Sequence, residues 1–272
     1  MAIEPTNITK FIDPAASLSR CLACAAALEG LDRCPACGRA YPVQDGIFSA
    51  IGPLTGRNRV AAAFYDGPAW QRFRPWERAF LRLQGGQARA RNQILRHLPN
   101  VAEARVLEVG IGDGENLTLL PKNWTVYGVD IARTQLVGCL DRFPELAGRL
   151  TWAEAEALPF LNATFDAVFC IGGFNFFRDH AAALAEMRRV ARPGAPVIIA
   201  DERPDLGRFG IGHLLGVPAL DLWWVQFLGL DRDFAAMALD CSFDPAHLIA
   251  HAWPGARLMP IWSRLGYCLV GE

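Results

Sequence analysis

Residues 106–117 read VLEVGIGDGENL, and their pattern indicates the fold. Its first four residues are apolar except for one glutamate, which predicts a short, largely buried strand. Gly110, Gly112 and Gly114 then form a turn in which the backbone can approach a ligand without side-chain obstruction. Asp130 ends the next apolar run, twenty positions after Gly110, where a carboxylate can accept hydrogen bonds from both hydroxyls of a ribose. The stretch therefore predicts a strand, a glycine turn and a nucleoside site.

The acidic residues of the turn restrict the ligand. A turn that binds NAD or FAD needs its third glycine at position 115, where the sequence has Glu115. Asp113 and Glu115 also place negative charge at the start of the following helix, where a pyrophosphate would have to lie. We therefore expect a ligand that carries an ammonium or a sulfonium group and no phosphate.

The chain on either side of this stretch alternates between strand and helix patterns. Short runs rich in β-branched residues (RVLEVG, WTVYGVD, FDAVFCIGG and APVIIAD) are separated by segments of helix length such as residues 179–190. This alternation predicts the α/β class with a doubly wound, mostly parallel sheet. At the C-terminal end, MPIWS and GYCLVGE could close the sheet as an antiparallel hairpin.

Four ordered motifs lie between about residue 60 and residue 200. They are Glu108-x-Gly110-x-Gly112-x-Gly114, Gly128-Val129-Asp130, Ala155-Glu156-Ala157-Leu158-Pro159-Phe160 before Phe165-Asp166, and Arg189-Val190-x-Arg192-Pro193-Gly194. These motifs resemble those of the class I methyltransferases, which have a Rossmann-like fold. The closest likeness is to the branch related to the ubiquinone- and menaquinone-biosynthesis C-methyltransferases.

The resemblance implies S-adenosylmethionine as the cofactor. Glu108 and the glycines would surround its methionine part, and Asp130 would hold its ribose. Ile131 would pack on the adenine ring. Other contacts would come from Glu154 to the adenine amino group, from the backbone of Ala155 beside it, and from the backbone of Cys170. The family more often has an aspartate at the position of Glu154, which is one methylene longer.

Two residues are candidates for a catalytic role. Tyr65 stands where related enzymes have an aromatic residue that closes over the cofactor, although an ordinary packed tyrosine would fit equally well. His180 is the best-placed candidate base, although a histidine that opens a helix is more often a cap or a surface group. Methyl transfer depends mainly on in-line positioning, so the absence of an obvious base does not oppose the assignment.

Two Cys-x-x-Cys pairs near the N-terminus predict a metal site. Cys21, Cys24, Cys34 and Cys37 have the spacing of two zinc knuckles, so we expect one structural, tetrahedral zinc. The module, residues 1–52, resembles the small zinc-ribbon partner of RNA and translation-factor methyltransferases. Residues 1–50 contain four basic and five acidic side chains, and so offer no basic face to phosphates. The remaining four cysteines lie in apolar settings and are expected in the core.

The remaining chain divides into two parts. Residues 53–98 are expected to form a helical cap, and residues 99–272 a class I methyltransferase domain with a variable substrate region from about residue 201. Nine arginines of the cap fall at many helical angles, which favours a solvated surface. A helix within residues 221–239 would present Trp223, Trp224, Phe227, Leu228 and Leu230 on one face. We expect this face to pack in the core; the alternative is a lid for an apolar acceptor such as a quinone, polyketide or lipid.

Composition sets the broad class. A formal net charge of −1 gives no general reason to expect a polyanionic partner. The N-terminus lacks the pattern of a secretory signal, which favours the cytoplasm and free or metal-bound thiols. Residues 209–230 have the length of a membrane span, but Pro218 and Asp221 interrupt them.

These observations predict methyl transfer from S-adenosylmethionine to a small, fairly apolar molecule. The first alternative is an RNA or protein methyltransferase that uses the ribbon for substrate contact. The second is a cofactor-binding protein that transfers no methyl group. The acceptor, the methylated atom and the oligomeric state stay open.

Overall fold

The computed structural model describes residues 18–29 and 32–272. The first seventeen residues, in which the sequence predicts no secretory signal, and residues 30–31 lie outside the described part. The N-terminal third of the expected ribbon, residues 1–52, is therefore not described.

A single sheet runs through the described residues, with the strand order β1-β2-β5-β4-β3-β6-β7-β9-β8. β2, β5, β4, β3, β6 and β7 run parallel to one another, while β1, β9 and β8 are antiparallel to their neighbours. The predicted α/β class, parallel sheet and C-terminal hairpin are confirmed, and β5 is a strand that the pattern did not indicate. The strands are β1 (Val43–Gln44), β2 (Ile47–Ser49), β3 (Arg105–Val109), β4 (Thr125–Asp130), β5 (Leu150–Trp152), β6 (Ala167–Ile171), β7 (Val197–Glu202), β8 (Arg257–Ile261) and β9 (Gly266–Gly271).

Both faces of the central strands are covered. Leu107 and Val109 of β3 pack with the layer that holds α5, α9 and the cysteine-rich segment, and Val106 packs with the layer that holds α3 and α4. A strand buried on both faces needs an apolar run rather than an alternating pattern, and β6 is buried throughout. The helices are α1 (Gly56–Asp66), α2 (Pro68–Leu83), α3 (Gln87–Leu95), α4 (Arg133–Arg142), α5 (His180–Val190), α6 (Ile211–Leu214), α7 (Pro218–Phe227), α8 (Arg232–Ala238) and α9 (Pro245–Ala252).

The expected helix after the glycine turn is only a short 3-10 helix, Glu115–Leu119. Leu120 leaves it with an extended backbone and precedes Pro121. A residue before proline is sterically disfavoured in the α conformation, which explains the early end.

Helices α1, α2 and α3 lie between residues 56 and 95, within the range predicted for the helical cap, and contact the C-terminal region. Phe64 of α1 stacks on Phe234 of α8 with ring centroids 3.7 Å apart. Around this pair, α1, α2 and α8 share a hydrophobic cluster of their own. Contacts between the cap and α8, which are distant in sequence, therefore hold the cap in place.

The cysteine-rich segment is joined to the sheet. β2 pairs in parallel with β5, and the amide of Ala50 donates to the carbonyl of Trp152 at 3.0 Å. Arg20 pairs with Glu186 of α5 at 3.3 Å. The ribbon therefore extends one edge of the sheet and does not stand apart from it.

The expectation of core packing for the tryptophan-rich segment is wrong for its most aromatic part. Two helices, α7 and α8, replace the expected single one and are separated at Gly229, whose φ is +111°. Trp223, Trp224 and Phe227 are 62, 53 and 66% exposed, whereas Leu230 is buried. α7 has no buried residue because it packs mainly against the short α6 beside it. Within the described residues, no helix has both the length and the apolar character needed to cross a bilayer.

Candidate active site and metal centre

A cavity of about 530 Å³ lies where the parallel strands end and the helical cap covers them. The carboxyl ends of β3, β4, β6 and β7 contribute to its floor, and α1, α2 and α8 to its roof. In open α/β sheets this edge is where ligands bind. Of the predicted cofactor residues, the cavity is lined by Tyr65, Glu108, Gly110, Gly112, Asp130, Ile131 and Ala155.

The glycine turn adopts the backbone that the motif requires. Gly110, Gly112 and Gly114 have φ values of +74°, +56° and +78°, which disfavour any residue with a Cβ. A Cβ on Gly112 would meet no atom within 4 Å and would project into open space. A Cβ on Gly114 would lie 2.7 Å from Leu117 and 2.9 Å from Cys139. Gly112 therefore leaves room for a ligand, whereas Gly114, which does not line the cavity, permits close packing.

Glu108 is fully buried at the end of β3 and is held by a polar chain. Arg91 of α3 donates to Asn116 Oδ1 at 2.7 Å, and Asn116 Nδ2 in turn donates to Glu108 Oε1. Glu108 Oε2 has no hydrogen-bond partner among the described residues. Burial raises the pKa of Glu108 to about 8, although the hydrogen bond from Asn116 opposes this. An unpaired buried carboxylate oxygen is costly, so this position fits a ligand that brings an ammonium donor.

Asp130 is fixed at the end of β4 by two backbone amides. Gly112 donates to its Oδ2 and Ala132 to its Oδ1, both at 2.8 Å. Desolvation raises the pKa of Asp130 to about 6, although these hydrogen bonds lower it. The carboxylate is therefore held in one orientation toward the cavity, as a ribose contact requires.

The adenine side of the predicted site is only partly assembled. Ile131 and Ala155 line the cavity, but the side chain of Glu154 does not. Glu154 Oε1 instead accepts a hydrogen bond of 2.7 Å from Asn58 of α1 and lies 4.0 Å from Arg178. Asn58 also donates to Glu156, at 3.0 Å. In the described arrangement Glu154 therefore anchors the cap.

Tyr65 contributes to the roof of the cavity. Its ring packs edge-on against Phe64, Trp70 and Phe234, within the aromatic cluster of the cap. Burial, together with the carboxylates of Asp201 and others, raises the pKa of Tyr65 well above its ordinary value. The phenol therefore keeps its proton and can donate a hydrogen bond.

His180 and Cys170 lie behind the cavity wall. The ring of His180 stacks on Phe243 with centroids 3.9 Å apart, and its Nε2 lies 3.4 Å from the carbonyl oxygen of Asn175. Asn175 and Phe243 line the cavity, whereas His180 does not. Burial lowers the pKa of His180, which favours the neutral ring. Cys170 is fully buried, and its thiol points to the carbonyl of Gly172.

Glu77 and Glu202 are carboxylates that line the cavity and that the sequence did not single out. Glu77 comes from α2 and Glu202 from the end of β7. Burial raises the pKa of Glu77 to about 6, although Arg91 opposes this. Asp201, beside Glu202, is fully buried and accepts a hydrogen bond of 2.8 Å from the Asn175 amide. Burial and then Glu202 raise the pKa of Asp201 well above its usual range.

Three cap arginines point inward, whereas the other six are exposed, so the expectation of a solvated arginine surface is wrong for these three only. Arg74 pairs with Asp113, and with Glu115 at 3.0 Å. Arg57 pairs with Asp240 at 2.6 Å, while Arg91 donates to Asn116. The acids of the glycine turn are therefore paired with the cap, and also with Arg142 of α4, at 3.0 Å from Asp113 and 3.5 Å from Glu115. The sequence did not predict the contact of Arg74 with Asp113 and Glu115, because Arg74 is distant from them in the chain.

Comparisons with known proteins agree with this geometry. Residues 107–199 match the methyltransferase domain family. The chain is 31% identical over 176 residues to a demethylmenaquinone methyltransferase of Deinococcus radiodurans, which covers 60% of this chain and 62% of that protein. It is 34% identical over 117 residues to the Thermus thermophilus demethylmenaquinone methyltransferase, covering 40% of this chain and 53% of that protein. The chain thus spans little more than half the length of these relatives.

A solved structure supports the same fold. Phosphoethanolamine N-methyltransferase 2 of Haemonchus contortus, in complex with S-adenosyl-L-methionine, superposes with a TM-score of 0.55 at 16% identity. The alignment covers 76% of this chain and 46% of that one. The chain therefore has the Rossmann-like methyltransferase fold.

The four predicted metal ligands converge outside the matched methyltransferase domain. The sulfur atoms of Cys21, Cys24, Cys34 and Cys37 all lie within 4.8 Å of one another. The Cys21–Cys37 and Cys24–Cys34 sulfur distances are both 3.5 Å. Tetrahedral zinc with bonds of about 2.3 Å separates its sulfurs by about 3.8 Å, so the cluster has a suitable size. Tyr41 Oη and the Ala23 amide both donate to Cys21 Sγ, at 3.2 and 3.3 Å, which favours a thiolate.

Proposed function

We propose that the protein transfers a methyl group from S-adenosylmethionine to a small, fairly apolar molecule. The observation that carries the proposal is the buried, unpaired oxygen of Glu108 beside the glycine turn, in the same cavity as Asp130. One carboxylate would receive the ammonium group of the cofactor and the other its ribose hydroxyls. The match of residues 107–199 to the methyltransferase domain family supports the same cofactor.

The cofactor supplies a methyl group that its sulfonium already makes electrophilic. The task of the chain is then to hold the acceptor in line and to exclude water, which can contribute about 7–11 kcal/mol. Tyr65 can orient an acceptor oxygen or nitrogen because its phenol retains a proton. We propose Glu202 as the group that accepts a proton from the acceptor, since it lines the cavity and His180 does not.

The walls of the cavity favour an apolar acceptor. Trp70, Phe73 and Trp76 contribute from the cap, and Leu206 and Leu230 from the C-terminal region. The relatives from Deinococcus radiodurans and Thermus thermophilus are demethylmenaquinone methyltransferases, whose name indicates a quinone acceptor. An acceptor of that general character would bury its apolar part against these side chains.

An RNA or protein acceptor is the second candidate, because the cysteine-rich segment resembles a ribbon found with such enzymes. Against it, three of the nine arginines that would contact phosphates are engaged within the protein. Binding to single-stranded RNA should fall with salt, with a logarithmic slope of about −0.7 for each phosphate contact. We expect little salt dependence.

We further propose that Cys21, Cys24, Cys34 and Cys37 hold one structural zinc. The described residues between 18 and 52 contain two short strands, β1 and β2, and zinc can contribute about 10–16 kcal/mol to the folding of such a segment. All eight cysteines are free of disulfides, which suits the reducing conditions of the cytoplasm, where we propose that the protein acts.

Calorimetry tests the cofactor assignment. S-adenosylmethionine at one hundred times its dissociation constant should stabilise the protein by about 2.7 kcal/mol. Asp130→Ala should remove most of this effect, whereas Asp141→Ala, at an exposed position on α4, should not. No heat with S-adenosylmethionine or its demethylated product, together with clear binding of NAD, would overturn the assignment.

A further inference from the structure

One surface of the protein is strongly apolar and uncovered. We define residues 209–227 as the apolar hairpin, which contains α6 and α7. Six of its side chains, Phe209, Ile211, Leu214, Leu215, Trp223 and Phe227, are 62–73% exposed. Apolar patches of this kind are rare on monomeric proteins in water and mark interaction sites.

The hairpin is held together from within, so its outward face is free for a partner. A Cβ on Gly212 would lie 2.5 Å from the carbonyl oxygen of Val217, which shows how closely the two arms approach. The carboxylate of Asp221 accepts hydrogen bonds from the amides of Gly212 and His213, at 2.8 and 2.6 Å. The one acidic side chain of the hairpin is therefore satisfied internally. Its presence does not oppose burial in an apolar medium.

Arginines stand at both margins of the hairpin, although exposed Asp233 also follows its C-terminal end. Arg208 is exposed, and its described side-chain contact is the carbonyl oxygen of Cys241 at 3.5 Å. Arg72 of α2 is also exposed and lies against Gly229 at the other end of the hairpin. Asp205 is paired with Arg203 at 2.5 Å. Exposed tryptophans with flanking basic side chains are typical of elements that lie in the interface of an anionic bilayer.

The dimensions suit a helix that lies on a membrane. α7 has ten residues and a length of about 15 Å, half the thickness of the hydrocarbon core of a bilayer. The hairpin itself does not line the cavity, but Leu206 before it and Leu228 after it do. Both ends of the hairpin therefore join the wall of the candidate active site.

We propose that the apolar hairpin inserts into the interfacial layer of an anionic phospholipid bilayer, so that the acceptor reaches the cavity from the lipid phase. The route of the acceptor rests on the proposed function. Insertion of the hairpin does not, because it requires neither cofactor nor acceptor. Membrane insertion and the proposed route of the acceptor can therefore be contradicted by separate experiments.

Flotation with vesicles of equal parts phosphatidylcholine and phosphatidylglycerol tests insertion. The wild-type protein should float, with a blue shift of tryptophan fluorescence. The triple variant Trp223→Ser, Trp224→Ser, Phe227→Ser should partition at least about tenfold less, since it removes three apolar side chains from the contact. Arg208→Gln should weaken binding to these vesicles about fivefold and change little with phosphatidylcholine alone.

Val101→Ser is the matched control, because Val101 is 49% exposed and precedes β3, at the sheet edge opposite the cavity. It should float like the wild type. Calorimetry with S-adenosylmethionine separates the two claims, since the triple variant changes no cavity residue and should still bind the cofactor. Equal flotation of the triple variant would overturn the proposal. So would a wild-type protein that ignores vesicles but forms a dimer that the triple variant abolishes.

Discussion

The surroundings of Glu108, a fully buried residue, suit a ligand that brings a hydrogen-bond donor. Its Oε1 is held by Asn116, which Arg91 positions, whereas its Oε2 has no partner among the described residues. Without a ligand, ionisation of this carboxyl is costly, and burial therefore raises its pKa to about 8. The cost should appear in the stability of the free protein.

We predict that Glu108 destabilises the free protein as the pH rises. Because its folded pKa exceeds its unfolded value, it favours folding below about pH 4.5, and this contribution is lost as the pH rises through about 8. A pKa difference of one between the folded and unfolded states is worth about 1.4 kcal/mol, and each kcal/mol about 2–4 °C for a chain of this size. Glu108→Gln should therefore raise the melting temperature by several degrees at pH 8 and change it little at pH 4.5.

The difference between the two melting curves isolates Glu108, since His180 and the other buried acids are common to both proteins. Thermal unfolding of each protein between pH 4.5 and 8, without cofactor, gives the measurement. A difference that is constant with pH would show that Glu108 has the same pKa in the folded and unfolded protein, and would contradict the prediction.

At this scale, local spacing in the sequence predicted residues that the structure brings together. Gly110, Gly112 and Asp130 line one cavity, and this was predictable because they belong to one continuous strand-turn-strand unit. Glu77, Glu202 and Arg74 were not predictable, because they reach the cavity from separate elements. His180 and Glu154 were placed in the right neighbourhood, but the side chains of Phe243 and Asn58 decide which way they face.

Among the elements, α2 connects the cap to the glycine turn. Arg74 is partly buried and pairs with Asp113 and Glu115, which closes the cap over the side of the cavity that would hold the methionine part of the cofactor. Asp113 and Glu115 disfavour a pyrophosphate at this position. Arg74 is paired with both acids, so it does not create a phosphate site.

Arg74→Ala should weaken the binding of S-adenosylmethionine roughly tenfold, because charge-assisted hydrogen bonds of this kind contribute about 1.5–3 kcal/mol. Arg78→Ala is the control, since Arg78 lies on the same helix and is exposed. Titration calorimetry measures both. Equal affinities for the two variants would mean that the cap link does not order the cofactor site.

The ribbon is the second element with a separate test. We predict one zinc per chain. Cys34→Ser should reduce the zinc content to well below one per chain. Cys241→Ser is the control, because Cys241 is half-buried and remote from the cluster, and it should leave the zinc content unchanged. The parallel core should remain folded in Cys34→Ser, because β3, β4, β6 and β7 pair with one another without β2. Elemental analysis and limited proteolysis give the readouts. A metal-free wild type with a protease-resistant N-terminal segment would contradict the prediction.

Element type was more predictable than element contact. Strands β3, β4, β6 and β7 and the helical cap follow from periodicity, since both patterns repeat within a few residues. β5 has only three residues and is a strand because β4 and β2 flank it. The exposure of α7 also depends on tertiary packing, because its apolar composition is that of a core helix.

In the whole molecule, three segments that are distant in sequence enclose one cavity. The sheet edge provides the predicted cofactor residues, the cap provides the aromatic roof, and the C-terminal region provides apolar wall residues on either side of the hairpin. The parallel α/β sheet and its C-terminal hairpin were predicted from the sequence, whereas β5 and the pairing of β2 with it were not. The enclosure was not predicted either, because it depends on pairs such as Phe64 with Phe234.

Methyl transfer into fractionated cell extract tests the proposed reaction and acceptor class together. The protein is incubated with extract and S-adenosylmethionine that carries a labelled methyl group, and the label is then counted in RNA, protein and organic-soluble fractions. We predict label chiefly in the organic-soluble fraction, little dependence on salt, and loss of transfer in Asp130→Ala. Label chiefly in RNA, with a steep salt dependence that shrinks in Arg72→Ala, would contradict the proposed acceptor class. Cofactor binding without label in any fraction would contradict methyl transfer itself.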